Sequence, residues 1–117
     1  MNNITIYHNP RCSKSRETLA LLEQHGVKPQ VVLYLETPPS VDELKKLLKE
    51  LGFSTARQLM RKNEDLYKEL KLADGSLSEE QLLAAMVENP KLIERPIVVK
   101  GSQARLGRPP EQVLEII

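Results

Sequence analysis

Two periods run along this chain, a short one of two residues and a longer one near 3.6, and they separate strands from helices. Ile4-Thr5-Ile6-Tyr7 alternates and closes at His8-Asn9-Pro10, while Val31-Val32-Leu33-Tyr34-Leu35 is a continuous apolar run halted before Pro38-Pro39. Both predict strands. Between them Leu19, Ala20, Leu21 and Leu22 make the apolar face of a helix that Gly26 terminates. Strands joined through a helix of this length run parallel with a right-handed crossover, giving a β-α-β unit.

From about residue 40 to 89 the pattern is helical. Ser40-x-x-Glu43 is a capping box ahead of Leu44, Leu47, Leu48 and Leu51, with Gly52 as the stop, and Ser78-x-x-Gln81 opens a helix carrying Leu82, Leu83 and Met86. Ser54 is placed to cap a short helix with Leu59 and Met60, and Leu66, Tyr67 and Leu70 predict another. Beyond this insert, Ile97-Val98-Val99 and Ala104-Arg105-Leu106 flank Lys100-Gly101-Ser102-Gln103, which is hairpin spacing. Arg108-Pro109-Pro110 then leads into Val113, Leu114, Ile116 and Ile117, with proline where a helix begins. The expected architecture is α/β: β-α-β, a helical insert, then β-β-α, on a four-stranded mixed sheet within a single domain spanning 1–117.

Composition narrows the function. The 117 residues are 40% hydrophobic, enough for one core, and 17 basic against 16 acidic residues leave a net charge of +1. Such a balance gives no field to draw the chain onto nucleic acid or an anionic membrane. The aromatics Tyr7, Tyr34, Phe53 and Tyr67 offer little for stacking bases. One cysteine cannot form an internal disulfide, and Met1 to Thr5 leads directly into a strand pattern without a leader or long apolar span, so a reducing cytosol is the expected compartment.

Cys12 falls between the first strand and the first helix, where unpaired N–H groups and the positive helix end favour a thiolate and also hold oxyanions. A lone cysteine is more often a buried structural one, but Arg11, Ser13, Lys14, Ser15 and Arg16 are too polar for a core. Arg11, Lys14 and Arg16 crowd this helix end; either an anion compensates them or they extend into solvent. His8 admits two readings, an imidazolium that acidifies the thiol or a hydrogen-bonded strand-end residue. Arg95 and Arg108 each precede a proline, which biases the backbone to an extended form, and their planar forks suit tetrahedral oxyanions. Singly, each is more often a solvated surface residue, and Arg61 carries no local distinction. Thr18 rules out the Cys-x5-Arg of a low-molecular-weight phosphatase, and Ser15 rules out a Cys-x-x-Cys dithiol. His8, Cys12 and His25 are too few and wrongly spaced for a metal.

With these residues in place, the chain resembles the ArsC family of arsenate reductases, whose fold is thioredoxin-like. The resemblance runs end to end: Ile4 to Pro10 with Cys12, Ser15 and Arg16; Leu33-Tyr34-Leu35-Glu36 with Pro38-Pro39; Met60-Arg61-Lys62-Asn63; Leu92-Ile93 leading to Arg95-Pro96-Ile97-Val98-Val99; and Arg105-Leu106 with Arg108-Pro109. Ser13-Lys14 stands where the best-known members have Gly-Thr. The resemblance implies that Cys12 is the nucleophile, with Ser15 and Arg16 in its turn and His8 lowering its pKa. It implies that Arg61, Arg95 and Arg108, with Arg16, hold arsenate. It further implies glutathione as co-substrate, glutaredoxin as the partner that regenerates the thiol, no bound cofactor, and a cis Arg95-Pro96 bond with Pro96 facing the cysteine. Two rivals are a monothiol oxidoreductase acting on glutathione mixed disulfides and an Spx-type regulator that binds RNA polymerase. The latter usually carries Cys-x-x-Cys at this turn, so Ser15 favours the reductase.

Overall fold

The computed structural model describes residues 4–62 and 64–117. Its contacts divide the chain into two compact units, Met1–Thr37 with Arg95–Ile117 and Pro38–Glu94. The insert legible in the sequence is the second of these, somewhat longer at both ends than the 40–89 expected.

The first unit is built on a four-stranded sheet: β1 (Ile4–Tyr7), β2 (Gln30–Val32), β3 (Ile97–Lys100) and β4 (Gln103–Leu106), in the order β2-β1-β3-β4. β1 and β2 are parallel, with Thr5 opposite Gln30, as their connection through α1 (Ser13–Gln24) requires. β3 lies antiparallel to β1, with Ile6 opposite Val98, and pairs with β4 in a hairpin with Ile97 opposite Leu106. Ile4 and Ile6 of β1, Val98 of β3, Leu22 of α1, and Val113 and Ile116 near the C-terminus close one core. Each fully buried aliphatic side chain contributes roughly 1.5–3 kcal/mol.

Three expectations need correction here. β2 ends at Val32, because the Leu33 carbonyl accepts from the Glu36 and Thr37 N–H groups, both at 2.9 Å, and turns the chain. A run of apolar residues is therefore not all strand, and β2 is a sheet edge on which Val31 is exposed. The C-terminal helix is a 3-10 helix, Pro110–Glu115, although proline does stand at its start.

In the second unit, α2 (Val41–Leu51) carries the expected Ser40–Glu43 capping box and ends on Gly52 at φ 78°, a left-handed position that glycine occupies without strain. α4 (Glu79–Glu88) opens on the Ser78–Gln81 box, and α3 spans Asp65–Glu69. The third correction concerns the short helix, which is a 3-10 turn, Ala56–Leu59, capped by Thr55 and not Ser54. Gln58 takes the Ser54 and Thr55 N–H groups at 2.7 and 3.2 Å, and Glu79 binds the Thr55 hydroxyl, so the cap is fixed by contacts from α4. Met60 lies beyond the turn, in a bridge to Ile93. Leu44, Leu47, Leu59, Leu82, Leu83, Met86 and Leu92 are buried within this unit. No helix among the described residues is long and apolar enough to cross a membrane.

Candidate active site

Cys12 is the N-cap of α1, with an extended backbone at φ −94° and ψ 123°. This is the position where Ser, Thr or Asp usually accepts from the second or third helical N–H. The neutral thiol makes no capping hydrogen bond; ionisation supplies the missing acceptor. Partial burial pushes the Cys12 thiol up, but the Ser15 N–H, the Arg95 guanidinium, the Lys14 N–H and the Arg108 guanidinium together outweigh it and hold the thiol below its ordinary range. Arg108 Nη2 lies 3.9 Å from Cys12 Sγ, and its Nε donates to the Arg95 carbonyl at 2.8 Å. Arg95 Nε and Nη1 are buried and have no hydrogen-bond partner. Donors of that strength are rarely left unmatched, and an oxyanion that reached them would satisfy both nitrogens.

The Arg95-Pro96 bond is cis, as the resemblance implies, and Arg108-Pro109 is cis as well.

Ser15 is fully buried beneath the turn. Its Oγ accepts the Asn9 N–H at 3.0 Å and lies 2.6 Å from His8 Nδ1, which leaves the hydroxyl proton for the imidazole. Of the two readings of His8, the hydrogen bond to Ser15 fits the strand-end residue. Burial first, and then the Arg16 guanidinium, push the His8 pKa below its ordinary value, which favours the neutral ring. His8 and Ser15 brace the loop; the Cys12 N–H donates to the Asn9 carbonyl at 3.0 Å.

This has a pH consequence. A histidine whose folded pKa is depressed gives stability that is present above its unfolded value of about 6.5 and lost as pH falls through the folded pKa. Denaturant midpoints should therefore drop from about pH 7.5 to about pH 5, and His8→Gln should remove most of that slope. Equal slopes in the two proteins would show that His8 takes up its proton freely in the fold.

The other basic residues divide. Arg16 is exposed, with Nη1 on the Pro10 carbonyl at 3.4 Å, and Lys14 pairs in solvent with Glu17 at 3.5 Å. Arg61 belongs to the second unit, where its guanidinium is paired with Glu64 and its N–H donates to the Leu92 carbonyl. Asn9 was missed in the sequence. Its Oδ1 takes the Arg11 N–H at 3.0 Å, and Asn before Pro-Arg was a readable turn signal. Beside the turn is a cavity of about 260 Å³ lined by His8, Asn9, Pro10, Arg11, Leu33, Leu35 and Glu36. Among the described residues no cluster of three His, Cys, Asp or Glu could hold a metal.

The ArsC family model matches residues 7–116. The chain belongs to the ArsC family. An arsenate reductase of Haemophilus influenzae is 53% identical over 115 residues, covering 98% of this chain and 99% of that protein. The uncharacterized protein YfgD of Escherichia coli K12 is 69% identical over 114 residues, covering 97% and 96%. A solved structure of an arsenate reductase from Vibrio cholerae is 65% identical, with a TM-score of 0.97 and 98% of each chain covered. The fold is thus the thioredoxin-like ArsC fold. Within it, the Ser13-Lys14 step of this ArsC-family chain brings an ammonium that Glu17 already partners.

Proposed function

We propose that the protein reduces arsenate to arsenite with glutathione and glutaredoxin, using Cys12 as nucleophile. The observation that carries this reading is the Cys12 thiol at a helix N-terminus, 3.9 Å from the Arg108 guanidinium and acted on by the charge of Arg95, whose Nε and Nη1 have no hydrogen-bond partner. The names of the relatives supply arsenate as the oxyanion. The Cys12 thiolate attacks arsenic and a sulfur–arsenic bond forms, while one As–OH group takes the proton of a second As–OH, its As–O bond breaks, and it leaves as water. Glutathione sulfur then attacks Cys12 sulfur; the S–S bond forms, the S–As bond breaks, and its electron pair takes As(V) to As(III). A glutaredoxin thiolate attacks the mixed disulfide and returns Cys12. The chain has one cysteine, so the second sulfur comes from outside it. The family resemblance adds Arg61 to the oxyanion-binding set, and Arg61→Lys tests that assignment alone.

The cavity beside the turn fits the glutathione step. Its apolar wall of Pro10, Leu33 and Leu35 is flanked by Arg11 and Glu36, whose side chains make no ion pair or hydrogen bond among the described residues. A peptide thiol carrying carboxylates and an ammonium complements that pair. Reduction is tested by NADPH consumption with arsenate, glutathione, glutaredoxin and glutathione reductase, where saturable turnover is expected. In the same assay Arg11→Gln and Glu36→Gln should each raise the KM for glutathione by roughly 2- to 5-fold, the value of one exposed charged contact, and leave the KM for arsenate near wild type. No arsenate-dependent oxidation of NADPH sinks the reductase reading, and an unchanged glutathione KM removes the cavity from it.

A further inference from the structure

Gly107 joins β4 to Arg108 and is buried against two neighbours. A Cβ built on it would overlap Thr18 Oγ1 and would stand 2.7 Å from Pro96 Cγ and 3.1 Å from Thr18 Cγ2, well inside normal contact. Its φ is not in the left-handed region, so it is space and not backbone freedom that excludes a side chain.

Both neighbours are held in place. Thr18 is fully buried, and its hydroxyl donates to the Lys14 carbonyl at 2.8 Å, so it cannot turn aside without breaking that bond. The turn it braces is the one whose Lys14 and Ser15 N–H groups face the thiolate. On the other side the Gly107 N–H donates to the Pro96 carbonyl at 3.0 Å, and Arg108 Nε donates to the Arg95 carbonyl at 2.8 Å. The Arg108 loop is thereby tied to the Arg95–Pro96 segment and seated on α1 at Thr18.

We propose that Gly107 is a positioning residue: by carrying no Cβ it lets the loop close onto α1, and so sets the distance between the Arg108 guanidinium and the Cys12 sulfur. The inference rests on Cys12 being the reacting thiol. Its test reads thiol ionisation without arsenate, so it can fail while the reductase reading stands. A methyl group at 107 lifts the loop from Thr18, and the attraction between Arg108 and the thiolate weakens with distance.

The experiment is the Cys12 pKa, taken from the pH dependence of iodoacetamide alkylation, in wild type, Gly107→Ala, Arg108→Gln and the double variant. Gly107→Ala is expected to raise the pKa by roughly half a unit. Arg108→Gln should raise it in wild type and add little once Gly107 is alanine, the non-additivity that a shared path to the thiolate requires. Adding Thr18→Ala to Gly107→Ala clears two of the three close contacts and should bring the pKa back toward wild type. A folded Gly107→Ala protein with a wild-type pKa overturns the proposal, as do additive shifts for Gly107→Ala and Arg108→Gln. If Gly107→Ala does not fold, the Thr18→Ala/Gly107→Ala protein decides: recovery of fold and thiol pKa supports the contact, and no recovery overturns it.

Discussion

Cys12→Ser is expected to abolish arsenate reduction, to below about one part in 10³ of wild type, with the fold intact. The substitution suits the local structure, because serine is a preferred N-cap and can accept from the Ser15 or Lys14 N–H where the neutral thiol makes no cap. Stability should hold or rise by up to about 1 kcal/mol on that account. What is lost is chemical. A hydroxyl is far less acidic than a thiol that Arg95, Arg108 and two N–H groups already hold below its ordinary range, and it cannot form a reducible disulfide. Turnover and thermal unfolding measured on the same preparation separate the two effects. Appreciable turnover by the folded serine variant would remove Cys12 from the mechanism.

Arg95→Ala should give the second largest loss, about 10- to 100-fold in anion affinity, the worth of one or two charge-assisted hydrogen bonds. Its Nε and Nη1 are buried without partners, so their removal leaves nothing else unsatisfied and the effect falls on the ligand. It should also raise the Cys12 pKa, because Arg95 is the charged group that acts most on the thiol. The two effects are linked. Sulfate in the wild-type site opposes ionisation, so it should raise the thiol pKa, slow alkylation, and bind more weakly as pH rises through that pKa. In Arg95→Ala the shift induced by sulfate should shrink. Arg95→Lys should restore most of the thiol pKa but little of the anion affinity, since a point charge keeps the field and loses the fork. Alkylation with and without sulfate at matched ionic strength reads both quantities. An Arg95→Ala protein with unchanged thiol pKa and unchanged sulfate protection would show that Arg95 does not share a site with Cys12.

Much of the framework was legible in the sequence because its signals act over a few residues. β1, α1, the β3–β4 hairpin and the capping boxes at Ser40 and Ser78 stand where alternation, helical period and cap spacing put them. Cys12 at the mouth of α1 follows from the same local logic, since a strand that ends before Pro10 and a helix that starts at Ser13 leave it no other place. Two local readings failed for different reasons. A tight turn closed on the Leu33 carbonyl ends a run that reads as strand, and a contact from elsewhere, Glu79, 24 residues from Thr55, decides which residue caps the short turn.

The site itself was decided by packing. Nothing in the spacing shows that Arg108 reaches Cys12 across 96 residues, or that its Nε is held by the carbonyl of Arg95. The acidity of His8 is likewise a tertiary property: the residue type permits either form, and desolvation beside Arg16 lowers its pKa and so favours the neutral one. Gly107 reads in the sequence as one more glycine, and only the approach of Thr18 and Pro96 shows why a side chain has no room there. Sequence therefore determined which elements form and where the thiol sits among them. Tertiary structure determined which charges face it, because Coulomb interaction and desolvation depend on distance through space and not along the chain.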